Sequence, residues 1–413
     1  MHKRIIMLKQ FKQLKSFTQD PLLFITNQRK EQGDFFTVNL GIKKIHFACH
    51  PQYAEAMLGI KADHFQKSRL IFNKIRPITG RQGLVQLENE KWARMRKITN
   101  EIFQRQYMAR YPEMMIYYLD KECDKIDGAA TINIMALMTS YTLKTALNVI
   151  FGNVNNETTE SFSSLFIELN ARCGLRMRSL LNLPSIRIYR IQRTLRAKIV
   201  ALIASQPTES VGLLSILRQQ ITLNDHDSTA LIVDQLMTFL FAGFETTAAS
   251  LASCLYLIAK HPDIQERIIC DNDSKSYTTA VYKEALRLYP PAWMLAREAV
   301  ADTLLCDKKI AKGDNIFLSV HEIQRHSEYW ESPDACKPDR FLLNEKPRFS
   351  FIPFGMGKRI CSGHAMATME AVLAISRLCQ RYQFSLPNNQ PLKMQAMVTL
   401  HPSENVNLRA ITR

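Results

Sequence analysis

One helical pattern, running from Ser228 to Lys260, sets the scale of anything this chain can fold into. It follows a turn-like NDHDS, in which Asp227 or Ser228 can cap a first helical turn, and it ends at His261–Pro262. At 1.5 Å per residue, a helix of this length runs about 50 Å and can cross a whole domain. Other elements must pack along it, so a mainly helical chain is expected. Asp234 and Glu245 interrupt the run, which argues against a membrane span.

Helical spacing recurs at 89–103, 112–125, 132–152, 158–171, 189–204, 209–220 and 277–288, the last stopped by Pro290–Pro291. Residues 35–49 read as two short strands about Gly41, and Pro51–Leu58 as a short helix. Short extended pieces and turns follow Pro291, and Ala365–Arg381 returns to a helical pattern. No repeat, low-complexity block or Gly/Ser- or Pro-rich linker divides the chain. The expectation is one domain over residues 1–413, mainly α with small β-sheets (α+β).

Composition narrows the partners. The nine cysteines are odd in number, irregularly spaced and without a CxxC pair. That opposes a disulfide framework or structural zinc and fits a reducing cytoplasm. The basic N-terminus carries an apolar run, Ile5–Leu8, too short to span a membrane, though it could touch a membrane surface through Ile5, Ile6 and Leu8. A net charge of +16 reads either as the well-solvated surface of a basic protein or as a surface for an acidic partner. No nucleic-acid-binding signature accompanies it, so nucleic acid is not expected.

The segment FGMGKRICSG, residues 354–363, places Cys361 among Gly355, Gly357 and Gly363, beside Lys358 and Arg359, where a helix begins. Cations and a helix N-terminus favour a thiolate, and glycines allow close approach to a flat ligand. Three other readings stand beside this one. A lone cysteine is often a buried structural residue. A phosphate loop is suggested by Gly357–Lys358, but Arg359 follows where Ser or Thr is needed. A cysteine hydrolase could use His364, but a base three residues on is not diagnostic.

Within the long helix, AGFETT (242–247) sets Gly243, Glu245, Thr246 and Thr247 into an apolar stretch. Either the hydroxyls satisfy themselves on carbonyls one turn back, or a widened turn exposes a carbonyl and poises hydroxyl and carboxylate for proton delivery. The pair Glu284 and Arg287, in EALR, is ordinary on any helix.

In order along the chain, these segments together resemble the cytochrome P-450 superfamily of haem-thiolate monooxygenases, over most of the sequence. FGMGKRICSG resembles the haem-binding loop, including Phe354, Gly355 and Gly363. AGFETT, with Gly243, resembles the oxygen-activating segment. EALR with Arg340 of KPDRF resembles the Glu-Arg-Arg structural triad, here Glu284, Arg287 and Arg340. Trp92 and Arg96 of KWARMR, and Arg297 of LAREAV, fall where the family meets the haem propionates.

The resemblance implies that Cys361 is the axial ligand of haem iron (haem b), donating electron density that favours O–O cleavage. Arg359 would reach a propionate, and the haem would lie between the long helix and the helix after Cys361. It implies Glu245 and Thr246 as the proton-delivering pair and O2 as co-substrate. The substrate would be apolar, lined by Phe241, Phe244, Ala292, Met294, Leu295, Met397 and Val398.

The wording ETT and KEALRLYPPAW leans towards fatty-acyl hydroxylation. Terpenoid or polyketide tailoring, and a non-oxygenase haem protein of the same fold, stay open. Electrons would come from NAD(P)H through a separate ferredoxin or flavodoxin with its reductase, docking on Lys91, Arg94, Lys97 and Lys358. A monomer is expected. Ser362 departs from the family's usual apolar residue after the cysteine, and Asp339 from the commoner Glu.

Overall fold

The computed structural model describes residues 12–40, 43–126, 128, 130–152, 154, 156–178, 185–207, 211–221, 226–271, 275–343, 348–388, 391–403 and 405–413. The Ile5–Leu8 run and Gly41 lie outside them.

The helices that build the site are α1 (Arg69–Thr79), α2 (Asn89–Asn100), α3 (Ile134–Phe151), α4 (Asn156–Arg178), α5 (Ile186–Ser205), α6 (His226–Lys260), α7 (Ser276–Leu288) and α8 (His364–Arg381). The long pattern is one 35-residue helix, α6. Its first half joins α3, α4 and α5 in one apolar cluster, where Leu236 and Leu240 share a core with Leu143, Phe166 and Leu195. Its second half packs Leu251 and Leu255 with Ala285 of α7 and Ile375 of α8. Each such buried leucine contributes about 1.5–3 kcal/mol. The same apolar surface makes Ile134–Phe151 and Asp227–Lys260 long and apolar enough to cross a membrane, but 67% and 83% of those stretches are buried inside the fold.

A five-stranded sheet flanks the helices, with β1 (Phe35–Leu40), β2 (Lys43–Ala48), β3 (Phe65–Lys67), β4 (Met294–Ala299) and β5 (Asn315–Ser319) in the order β1-β2-β5-β4-β3. β2 and β5 are parallel, and the other pairs are antiparallel. The register sets Lys67 opposite Arg297.

Among the described residues, the three longest helices that lie where none was expected each have a local reason. Pro77 sits inside α1 and masks its pattern. Pro262, which ends α6, also starts the helix Pro262–Cys270 at its first turn, where its missing N–H costs nothing. In the helix Pro21–Gln32 the apolar residues crowd into the first turns, so no period shows. The expected start of α3 at 132 is instead a strand, Ala130–Asn133, paired with Asn407–Thr412.

The chain before Cys361 is pinned by a buried ion set. The carboxylate of Glu284 receives Arg287 through two bonds, 2.8 and 2.9 Å. It also receives Arg340 Nε at 3.2 Å and the Lys337 N–H at 2.8 Å. Arg287 further donates to the carbonyls of Gln324, Pro333 and Ala335. One helix thereby holds two turns of irregular chain. Asp339 turns outward and clasps Arg267 through two bonds, 2.6 and 2.9 Å.

Candidate active site

The Cys361 loop is a compact reversal closed by hydrogen bonds from Gly355 N–H to Ile352, Ile360 N–H to Gly357 and Cys361 N–H to Phe354. Gly355 and Gly357 take left-handed φ of 71° and 74°. Gly357 also lies so close to the chain that a Cβ there would meet the Leu58 carbonyl oxygen at 2.0 Å. Gly363 needs no such freedom; it precedes α8 with φ −90°.

Cys361 sits deep in the molecule, yet its side chain keeps accessible surface, which places Sγ on the wall of an internal cleft. Burial pushes the thiol up, against the pull of the Gly363 N–H and the charge of Arg96. The cations adjacent in sequence act elsewhere. Lys358 pairs with Asp63 at 2.8 Å. Arg359 pairs with Glu88 and lies 4.5 Å over the Trp92 ring. Arg359 was expected at a propionate; its charge is instead met by the Glu88 carboxylate.

The polar edge of the cleft gathers more positive charge than it balances. Arg96, one turn after Trp92 on α2, donates to the Ile360 carbonyl at 2.7 Å. Desolvation lowers Arg297 to about 10, helped by the repulsion of Arg359. Lys67 falls to about 7 for the same reasons. Among the described residues, Lys67, Arg96 and Arg297 form no ion pair with a carboxylate, and Glu88 is already engaged by Arg359 and by the Lys67 backbone N–H. Three desolvated cations on one edge suit a ligand carrying two carboxylates, which haem b does. Lys67 escaped the sequence reading because nothing local marks it; only the β3–β4 register brings it beside Arg297.

The opposite wall is α6. Ala242, Gly243 and Thr246 share one face and keep accessible surface, while Phe241, Phe244, Glu245 and Thr247 are buried. The stretch is α-helical throughout, and Thr246 and Thr247 donate to the carbonyls of Ala242 and Gly243 at 2.7 and 2.9 Å. A Cβ on Gly243 would meet only the Ala146 methyl, at 3.6 Å.

Glu245 turns away from this face. Its Oε1 accepts from Asn170 of α4 and from Thr399 Oγ1 at 2.6 Å. Burial raises the carboxyl to about 7, against those two bonds. Asn170 and Thr399 carried no signal in the sequence.

The residues expected at the substrate gather from three segments. Phe244 meets the Phe166 ring edge-on, at 5.9 Å between centroids. Met397 is buried against Gly174 of α4, where a Cβ would meet its Cε at 2.7 Å, and its carbonyl accepts from Trp293 Nε1. Leu295 approaches the Cys361 loop: a Cβ on Gly355 would meet its Cδ1 at 4.0 Å. Phe241 is buried, and Ala292, Met294 and Val398 are half-buried.

Known proteins share this fold and sequence pattern. The solved structure of CYP175A1 from Thermus thermophilus is similar over 96% of this chain and 97% of its own, with TM-score 0.81 and 25% identity. Pentalenene oxygenase of Streptomyces avermitilis is 26% identical, covering 95% of this chain and 93% of its own. Cyclooctat-9-en-7-ol 5-monooxygenase of Streptomyces melanosporofaciens is 26% identical over 88% and 85%. The family described as Cytochrome P450 matches residues 2–408. This chain, with its cysteine loop, buried Glu-Arg-Arg set and long helix facing the cleft, belongs to the cytochrome P450 family of haem-dependent monooxygenases.

Proposed function

We propose that this chain hydroxylates a largely hydrocarbon substrate, a fatty acyl chain in the first place, with Thr246 governing proton access and Cys361 holding the haem iron. The observation that carries the reading is the pairing of a cleft-facing thiol with a cleft-facing hydroxyl on the opposite helix.

Haem b, when bound, supplies the reduction of O2 and the transfer of one oxygen atom to the substrate. Cys361 would hold the iron, and Arg96, Arg297 and Lys67 the propionates. Thr246 lends its own proton to the Ala242 carbonyl and keeps two lone pairs with which to accept and hand on another. Glu245, near 7, exchanges a proton at neutral pH, but from the other face of the helix, where Asn170 and Thr399 hold it, and so not directly with Thr246. Apolar walls at Phe241, Phe244, Ala292, Leu295 and Val398 exclude water and reward hydrocarbon at about 25 cal/mol per Å² buried. Methionines at 294 and 397 adapt to its shape.

Electrons reach the site from NAD(P)H through an acidic ferredoxin or flavodoxin, for which Lys91, Arg94 and Lys97 stand exposed on α2. Lys358 contributes less, because Asp63 already meets it. A second reading, terpenoid tailoring, is favoured by the names of the Streptomyces relatives.

Thr246→Ala tests the assignment. The variant binds haem and substrate but diverts reducing equivalents to hydrogen peroxide. Unchanged coupling of NAD(P)H consumption to product removes Thr246 from the mechanism.

A further inference from the structure

Behind the cleft-facing side of α6, two buried oxygens of one hydrogen-bonded pair lack partners. Asn170 of α4 donates through Nδ2 to Oε1 of Glu245, which also accepts from Thr399 Oγ1. Oε2 of Glu245 and Oδ1 of Asn170 are left as acceptors without a donor. Glu245 is 6% exposed and Asn170 9%, and neither oxygen reaches solvent.

Buried polar atoms in folded proteins are met by a partner, and leaving two unmet on neighbouring groups is costly. An ionised carboxylate can only accept, so it does nothing for the amide oxygen. A protonated carboxyl carries one donor. With the proton on Oε2, a single bond to Asn170 Oδ1 satisfies both atoms. Burial acts in the same direction and raises the carboxyl to about 7, against the bonds donated by Thr399 and Asn170.

Among the described residues, no lysine, arginine or histidine pairs with Glu245. The titratable group facing it from α4 is the Cys173 thiol, which burial raises to about 12 and on which Arg176 and Glu245 pull in opposite directions. The C-terminal segment presents the Thr399 hydroxyl, and on α6 Thr246 and Thr247 are turned to their own carbonyls. Phe166, Asn170 and Gly174 stand four residues apart and share one face of α4. Phe166 meets the Phe244 ring, and Gly174 lies against Met397. These contacts, one turn before and one turn after, hold the amide against Glu245.

We propose that Asn170 is a positioning residue that keeps Glu245 as the neutral acid, its proton on Oε2 and turned to the amide oxygen, away from Thr246. This rests on the proton-delivery part of the reading above and deepens it. Glu245 is then a proton store closed by α4, and it gives up its proton only when the pairing with Asn170 opens.

The test is the infrared spectrum of the haem-loaded enzyme from about pH 5 to pH 8. A carboxylic acid shows a C=O stretch above the amide bands, and an ionised carboxylate lacks it. The unaltered enzyme should show such a band that fades near pH 7 and is missing from Glu245→Gln. Glu370, also buried and raised to about 8, gives a second band that Glu245→Gln leaves in place. In Asn170→Leu the Glu245 band should move to higher wavenumber, as an acid O–H without an acceptor does. The pH profile of hydrogen peroxide formation from NAD(P)H should shift with it.

No Glu245 band at about pH 6, or a band and pH profile untouched by Asn170→Leu, overturns the proposal. If Asn170→Leu does not accumulate, Asn170→Asp, of the same shape, decides. Two facing carboxyls share one proton, so the band should outlast pH 8, and fading near pH 7 overturns the proposal. The ferrous carbon monoxide spectrum of each preparation separates the two levels. A thiolate band without an effect of Asn170 removes only this assignment, whereas no thiolate band removes the monooxygenase reading and leaves the infrared result standing.

Discussion

Replacing Arg287 by alanine should cost a third or more of the fold's stability without touching the chemistry. Arg287 and Glu284 are both fully buried, and the guanidinium makes five hydrogen bonds: two to the carboxylate and three to the carbonyls of Gln324, Pro333 and Ala335. Removing one member of a buried ion pair costs about 3–5 kcal/mol. Arg340 remains beside Glu284 and offsets part of this. The three orphaned carbonyls work the other way, so about 5 kcal/mol is a fair centre.

Domains hold only about 5–15 kcal/mol in total. For 413 residues, an unfolding entropy of about 2.1 cal/mol/K per residue turns 5 kcal/mol into a melting shift of roughly 6 °C. A modest shift would therefore accompany a large loss of folded, haem-loaded protein. Arg287→Lys keeps the charge but not the planar fork, and should fall between. Haem content from the absorption spectrum, with thermal melts of what survives, is the assay. Normal haem loading with only slowed turnover would refute the structural role.

Glu245 gives a pH signature. Its carboxyl is raised from 4.5 to about 7 by burial. Below pH 4.5 both folded and unfolded chains hold the proton; between 4.5 and about 7 only the folded chain does, so stability falls by about 3 kcal/mol and then levels. Glu245→Gln should gain on the unaltered protein as pH rises from 5 to 8, and parallel stability curves would contradict this. Reduction by an acidic redox protein should slow steeply with salt, because exposed charges are screened over about 10 Å at 0.1 M, and salt-independent rates would remove the docking role of Lys91, Arg94 and Lys97.

Residues that act on their chain neighbours were legible in the sequence, and those that act across the fold were not. The α6 pattern, the glycines at 355 and 357, and the spacing of Glu284 and Arg287 are local, and each took its expected place. Cations next to Cys361 looked like its electrostatic support, yet Asp63 and Glu88, distant in sequence, capture them. The support comes from Arg96, and the polar edge of the cleft from the pairing of β3 with β4. Likewise Glu245 read as a partner of Thr246 because they adjoin, but neighbours on a helix face different ways. Asn170 and Thr399, which fix its direction, announce themselves only in three dimensions.

Cys361 as the haem-iron ligand is the claim on which the rest depends, and the ferrous carbon monoxide spectrum tests it most directly. The unaltered protein should show the red-shifted Soret band of thiolate ligation. Cys361→His should lose that band while any bound haem absorbs at the shorter wavelength of nitrogen ligation. Survival of the red-shifted band in Cys361→His would mean that another residue holds the iron.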